Sequence, residues 1–234
     1  MKIVAKDVNI RFGNSYLYSK DINLEIKKGK IYIFEGPSGS GKTTFVKIIS
    51  FLQKPSKGEI YWGDKKIESL EQANKIRTKY IALIPSNFIF VENLTAEENL
   101  KIVALANNID YTQAIERLID TLEFGEKIKE ISLKNLLRKK VHELSNGQKE
   151  IISIARALLL NSPFILGDET FRSFRDLDME NIIEKVLQSI KEEGRSLFLI
   201  THREKTITAI KKVLGKENIF YLKIENNEIK YTGV

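Results

Sequence analysis

Apolar positions recur along the chain with two different periods, and each change of period marks an element. Val4, Val8, Ile10 and Phe12 share one parity, and Ile22, Leu24 and Ile26 alternate with Asp21, Asn23 and Glu25. A period of two predicts two half-exposed strands with a turn region at Gly13-Asn14 between them. Ile31-Tyr32-Ile33-Phe34 is continuously apolar, as a buried strand is. Helical character takes over at Phe45-Val46-Lys47-Ile48-Ile49. Pro55-Ser56-Lys57-Gly58 has turn chemistry, and Glu59-Ile60-Tyr61-Trp62 returns to extended chain, with Trp62 read as a packing residue. Tyr80-Ile81-Ala82-Leu83-Ile84 reads as another buried strand, ended by Pro85.

The middle of the chain is helical. Thr95-Ala96-Glu97-Glu98 has the form of a capping box, and Ile115, Leu118, Ile119 and Leu122 follow at helical spacing. Residues 124–140 are charged and show no clear period, so no element is assigned there. Ser145 is a good N-cap for a helix from about Gly147 to Leu160, stopped by Asn161-Ser162-Pro163. Phe164-Ile165-Leu166-Gly167 is a short buried strand running into Asp168-Glu169. Ile182, Ile183, Val186, Leu187 and Ile190 line one face of a helix closed by Gly194. Ser196-Leu197-Phe198-Leu199-Ile200 is a further strand, with His202 just beyond it. The tail, Phe220, Leu222 and Ile224, then Asn226-Asn227, then Ile229 and Tyr231, reads as a hairpin. Apolar strands alternating with helices predict an α/β fold with a mainly parallel sheet, whose chemistry belongs at the carboxyl ends of the strands.

Composition narrows the setting. With 234 residues, 42% of them hydrophobic, the chain can bury one sizeable core, and residues 1–234 are read as a single domain. Cysteine is absent, which excludes disulfides and thiolate metal sites and fits an intracellular protein. No apolar run approaches the ~20 residues of a spanning helix, so any membrane role is expected through another chain. The net charge of +7 is spread over scattered lysines with small clusters at Lys27-Lys28-Lys30 and Arg138-Lys139-Lys140. No aromatic residues interleave with those clusters, so no nucleic-acid partner is expected; a solvated surface or a bias toward anionic membrane remains.

The chemistry-bearing stretch lies between the buried strand Ile31-Tyr32-Ile33-Phe34 and the first helix: Gly36-Pro37-Ser38-Gly39-Ser40-Gly41-Lys42-Thr43-Thr44. Glycines let backbone N–H groups wrap a polyphosphate without Cβ clashes, and the helix N-terminus adds partial positive charge where the anion sits. Lys42 can reach the outer phosphates, and the Thr43 hydroxyl is placed to ligate Mg²⁺. Strand, glycine loop and helix in this order imply a nucleoside triphosphate site.

With the phosphate loop, Leu144-Ser145-Asn146-Gly147-Gln148, Asp168-Glu169 and Thr201-His202-Arg203 in this order, the chain resembles an ABC-type ATPase domain over nearly its whole length. The resemblance implies a P-loop NTPase core with an antiparallel β lobe and a helical subdomain at about 87–160. It implies ATP and Mg²⁺ as cofactors, and ATP hydrolysis that drives a separate integral membrane permease from the cytoplasmic face of the membrane. Ser145, Gly147 and Gln148 stand in the family's signature motif, which grips the γ-phosphate held by a second ATPase subunit in a homodimer or heterodimer. Asp168 takes the place of the metal-holding aspartate, Glu169 that of the general base, and His202 that of the switch histidine. Phe12 sits where the family stacks an aromatic on adenine, with Tyr16 and Tyr18 as nearby competitors. Residues 86–99 are similar to the corresponding loop of the lipoprotein-release and macrolide-efflux subfamily. Their aromatic run would be accounted for by a groove for a membrane partner's helix.

Departures from the pattern cluster at the coupling and dimer surfaces. Ser86, followed by Asn87, stands where Gln is usual and is too short to replace its reach. Asn146 replaces the first signature glycine, and Ile151 replaces a common Arg. Thr170-Phe171-Arg172-Ser173-Phe174-Arg175-Asp176 replaces a Pro and a Ser-Ala-Leu-Asp-like turn; Arg175 takes the Asp place without a gap, Asp176 with a one-residue shift. ATP binding is expected intact, with hydrolysis slowed by Ser86. Two alternatives come from the same motifs: a soluble ABC-type ATPase serving iron–sulfur assembly or nucleic-acid work, and a degenerate subunit that binds ATP with weak hydrolysis.

Overall fold

The computed structural model describes residues 1–124, 131–215 and 218–232. Strand β1 (Lys2–Asn9) does not keep the single parity expected from Val4, Val8, Ile10 and Phe12. Ile3 and Ala5 are buried while Val4 is half-buried, and the buried set then moves to Val8 and Ile10. The cause is a bulge: the register shifts between Ala5 and Val8, and Asp7 takes a φ of 51°. One extra residue in a strand sends every later side chain to the opposite face. Phe12 falls outside the core. The Gly13-Asn14 turn is as expected, joining β2 (Arg11–Phe12) to β3 (Ser15–Tyr16). In β4 (Ile22–Lys27), Ile22, Leu24 and Ile26 are buried as the alternation requires.

β5 (Ile31–Glu35) leads through the glycine loop into α1 (Lys42–Ile49). β6 (Lys57–Trp62) and β7 (Lys65–Lys66) then complete a four-stranded antiparallel sheet in the order β4-β1-β6-β7. Trp62 packs as expected, stacked on Tyr80 at 4.8 Å between ring centres. A helix absent from the sequence reading follows, α2 (Leu70–Tyr80), so Tyr80 ends a helix and β8 (Ile81–Ile84) begins one residue later. Its turns are polar and Ala73 is its buried residue, so no apolar stripe advertised it. Its start is local, the Ser69 hydroxyl accepting from the Gln72 N–H.

The middle forms α3 (Ala96–Ala106), α4 (Tyr111–Thr121), the short α5 (Leu133–Leu136), a 3-10 turn at Val141–Glu143 and α6 (Asn146–Leu159). The short α5 therefore occupies part of 124–140, where the sequence showed no period; residues 125–130 lie outside the described residues. β9 (Phe164–Asp168), α7 (Asp176–Glu192), β10 (Ser196–Ile200), α8 (Glu204–Leu214), β11 (Ile219–Glu225) and β12 (Glu228–Thr232) complete the chain. Helix α8 was also unforeseen. Its buried Ile207, Ile210 and Leu214 recur at helical spacing, but Thr208, Lys211 and Lys212 lie between them.

The second sheet has six strands in the order β12-β11-β5-β10-β9-β8, parallel except for the terminal β11-β12 hairpin. Both of its faces are covered, so successive residues of one strand enter different cores. Ile31 and Ile33 join the helical side, while Tyr32 and Phe34 face the side of α1 and the antiparallel sheet. Leu197 and Leu199 divide from Phe198 and Ile200 in the same way. The adjacent parallel strands β5, β10 and β9 end at one edge. That edge carries the glycine loop, His202 and Asp168-Glu169.

Candidate functional site

Phe34 at the end of β5 and Phe45 in the first turn of α1 meet edge to face at 5.6 Å between ring centres, and both are fully buried. This contact anchors the two ends of the glycine loop in the core. Gly41, the N-cap of α1, has a φ of 85°, and a Cβ there would lie 2.1 Å from Leu17 Cδ2. Only glycine fits that position. A Cβ on Gly36 would lie 2.9 Å from Ile224 Cβ. The first turn of α1 has no side-chain cap and no acidic residue, which leaves its N–H groups pointing at the loop.

Lys42 is buried and turned into this cradle. Its ammonium donates to the carbonyls of Gly36 at 2.8 Å and Pro37 at 2.7 Å, and lies 3.4 Å from Ser40 Oγ. Burial pushes its pKa down, against the fields of Glu169 and Asp168, which raise it. Its direct partners are neutral carbonyls, so the cradle holds a positive charge suited to an anion. The Thr43 hydroxyl donates to Asp168 Oδ2 at 3.0 Å, and Asp168 is 7% exposed at the end of β9. Two hard oxygen donors side by side, beside a phosphate cradle, suit Mg²⁺.

After Asp168 the backbone turns sharply. Glu169 adopts a φ of 54°, and its N–H donates to the Ile200 carbonyl at 2.9 Å. A left-handed glutamate costs on the order of 1 kcal/mol, and such strain concentrates at functional sites. Here it aims the carboxylate out of the sheet edge. Glu169 Oε1 lies 3.5 Å from His202 Nδ1, while Oε2 accepts from Arg172 at 2.8 Å. One cleft of about 570 Å³ is lined by Gly36, Pro37, Ser38, Gly39, Gly41, Lys42, Thr43, Thr44, Asp168, Glu169 and His202, with Ile10, Phe12 and Leu17 at its side. Ser40, also from the predicted loop, is buried beneath it and donates to the Pro37 carbonyl at 2.7 Å.

The three aromatic candidates separate. Phe12 is 80% exposed on the cleft wall, and Tyr16 lies half-exposed with Lys57 over its ring. Tyr18 is buried and its hydroxyl would sit 2.9 Å from a Cβ on Gly41, so it supports the loop from below. Ser145, Gly147 and Gln148 do not line this cleft. They start α6 in a capping box: the Gln148 N–H donates to Ser145 Oγ at 3.3 Å and the Ser145 N–H to Gln148 Oε1 at 3.0 Å. Ser145 and Asn146 are exposed.

Residues 86–91 correct one expectation. The aromatic rings are not the exposed part of this run. Phe88 and Phe90 are half-buried and stacked at 6.4 Å, and Phe90 packs on the helical core under the Arg156 guanidinium. Arg156 also donates to the Ile89 carbonyl at 2.6 Å. The exposed side chains are Asn87 and the aliphatic Ile89 and Val91. Beside them a groove is lined by Ser86, Asn87, Phe88, Glu92, Asn146, Lys149, Arg172 and Ser173.

Sequence reasoning assigned no role to three residues that hold the segment after Glu169. Glu150 of α6 is buried and accepts from the N–H groups of Phe171 and Ser173, the latter at 2.9 Å. Arg203 donates to the carbonyls of Phe171 and Phe174, both at 3.0 Å. Arg172 joins Glu169 to the Ser86 carbonyl. A charge at each of these positions was the available signal, but each also binds backbone atoms far away in sequence, which no local pattern discloses. Arg175 pairs with Asp178 at 2.9 Å on the helix it precedes, and the Asp176 side chain lies outside the described residues. Ile151, in the place of a common Arg, is buried in the helical core.

Residues 19–172 match the family model described as ABC transporter. The chain is 33% identical over 195 residues, 82% of each protein, to an uncharacterized ABC transporter ATP-binding protein of Methanocaldococcus jannaschii. It is 32% identical over 197 residues, 83% of each, to the lipoprotein-releasing system ATP-binding protein LolD of Francisella tularensis, from the subfamily that residues 86–99 resemble. It aligns with a dimeric structure of a post-hydrolysis state of the same archaeal ATP-binding cassette bound to ADP and Pi. That match has a TM-score of 0.79 and 26% identity, over 99% of this chain and 98% of that one.

Proposed function

The chain belongs to the ABC transporter family, and on that premise we propose that it is the ATP-hydrolysing subunit of a membrane transporter, closing on a second such subunit around ATP. The convergence of the glycine loop, Asp168, Glu169 and His202 in one cleft carries this reading. Bound ATP and Mg²⁺ supply the γ-phosphoryl group and the cation that offsets its charge. The loop N–H groups from Gly36 to Thr44 and the Lys42 ammonium hold the phosphates, and Thr43 with Asp168 holds the metal. Phe12 stacks on the adenine from the exposed wall. Glu169 accepts a hydrogen bond from the attacking water, and His202, next to it, orients the same region.

Ser145, Gly147 and Gln148 sit away from their own chain's cleft, so they serve the ATP held by a second subunit, a homologous or identical chain. An exposed helix N-terminus suits a phosphate brought to it from outside. Among the described residues no helix is long and apolar enough to cross a membrane. In this reading the chain meets the cytoplasmic face of the membrane through a permease subunit, which seats on Ile89, Val91 and the groove beside them. We read residues 1–234 as one domain whose part at about 87–160 is the arm that touches that partner. Purified Glu169→Gln protein is expected to dimerise in saturating ATP and Mg²⁺ and to stay monomeric with Lys42→Ala added, as read by light scattering. A monomer under all conditions, with and without the membrane partner, would sink the paired arrangement.

A further inference from the structure

Arg172 lies outside the phosphate cleft, yet it touches the carboxylate that faces it. One terminal nitrogen donates to Glu169 Oε2 at 2.8 Å, and the other donates to the Ser86 carbonyl at 2.5 Å. One planar group thus joins the turn after β9 to the loop after β8. The backbone that carries it is fixed from two sides. The N–H groups before and after it, of Phe171 and Ser173, donate to buried Glu150, and Arg203 holds the Phe171 and Phe174 carbonyls. Ser86, by contrast, begins the run that carries the exposed Ile89 and Val91. Of the two segments, the loop is the one whose exposed side chains a docking partner reaches, and its own ties, from Arg156 to the Ile89 carbonyl and from Asn99 to Val91, lie three or more residues beyond Ser86.

We propose that Arg172 is a positioning residue, a latch that ties the Glu169 carboxylate to the Ser86 backbone so that a partner seated on residues 86–91 sets the aim of that carboxylate. The guanidinium fork is rigid, and it satisfies both acceptors only while their separation stays fixed. While Arg172 donates to Oε2, one lone pair of that oxygen is taken and the guanidinium fixes the direction in which the carboxylate faces. A shift of Ser86 removes one of the two anchors and lets the carboxylate turn toward the side of His202. Lysine presents a point charge rather than a fork and cannot hold both acceptors in this way.

This inference rests on Glu169 acting in hydrolysis, but its first test needs no hydrolysis. The chain has no cysteine, so Asn87→Cys gives one spin-label site next to Ser86. Label mobility is compared in that protein and after adding Glu169→Ala, Arg172→Ala, or both. Each single change is expected to raise mobility, and the pair no further than either alone, because both break the same link. Unchanged mobility in Arg172→Ala, or strictly additive changes, overturns the latch. In the second test, without the label, Arg172→Ala is expected to raise basal kcat about two- to fivefold, the scale of an exposed charge pair, at unchanged KM for ATP. Arg172→Lys should resemble it. A kcat that stays level or falls overturns the restraint on Glu169. If the label responds as expected while no variant hydrolyses ATP, the latch stands and the ATPase reading fails.

Discussion

Glu150 is a buried carboxylate committed to two backbone donors. It is 2% exposed, and its oxygens accept from the Phe171 and Ser173 N–H groups just past Glu169. Burial raises its pKa, and the two N–H groups oppose that rise without cancelling it. Glu150→Ala leaves both donors unsatisfied in the interior, at roughly 1–3 kcal/mol each. For a chain of this size that lowers Tm by roughly 4–24 °C. The pH dependence follows from the direction of the shift. A carboxyl whose folded pKa is raised favours folding most below its unfolded value, and that contribution fades as pH rises through the folded value. Melts of wild type and Glu150→Gln between pH 4 and pH 8 should therefore draw closer together as pH rises. A constant gap would remove Glu150 from the titration.

At the scale of elements, α6 separates a structural role from a chemical one. Ser145 caps this helix, and removing an N-cap costs about 1 kcal/mol. Ser145→Ala is expected to lower Tm by about 2–4 °C on that account. Asparagine caps as well as serine, so Ser145→Asn should restore the melt. If Ser145 also meets a neighbour's phosphate, Asn restores stability while ATP turnover stays depressed; recovery of both would reduce Ser145 to a cap. The same helix shows what a sequence discloses. Its cap and apolar stripe are local, so its start and its length were legible. So were β5, β9 and β10, whose continuous apolar runs answer to a sheet buried on both faces. Helix α2 escaped because one buried alanine leaves no stripe, and α8 because lysines and threonines break its pattern. The β1 bulge escaped because it depends on the registers with β4 and β6, which are set between strands rather than within one. The phosphate loop was legible for the reason that α6 was. The latch at Arg172 and the clamp by Glu150 were not, since each joins segments distant in sequence.

At the scale of the molecule, two attachments to a membrane are physically distinguishable. A net charge of +7 would draw the chain to anionic headgroups, with a strength that fades as salt shortens the screening length to ~3 Å at 1 M. Docking through Ile89, 69% exposed, and Val91, 53% exposed, removes apolar surface from water and does not depend on charge. Two of the cations beside that patch are already paired locally: Lys149 with Glu92 at 3.2 Å, and Arg172 with Glu169 at 2.8 Å. An apolar seat for the permease therefore predicts recovery with membranes that carry the partner in both 0.1 M and 1 M salt. Ile89→Asp with Val91→Asp should abolish that recovery, because burying two carboxylates in the contact costs more than the patch returns. Nucleotide affinity should not change, since neither residue lines the phosphate cleft. Sedimentation with partner-containing membranes, read beside binding of a fluorescent ATP analogue, checks both parts. Release by salt alone would assign the attachment to charge.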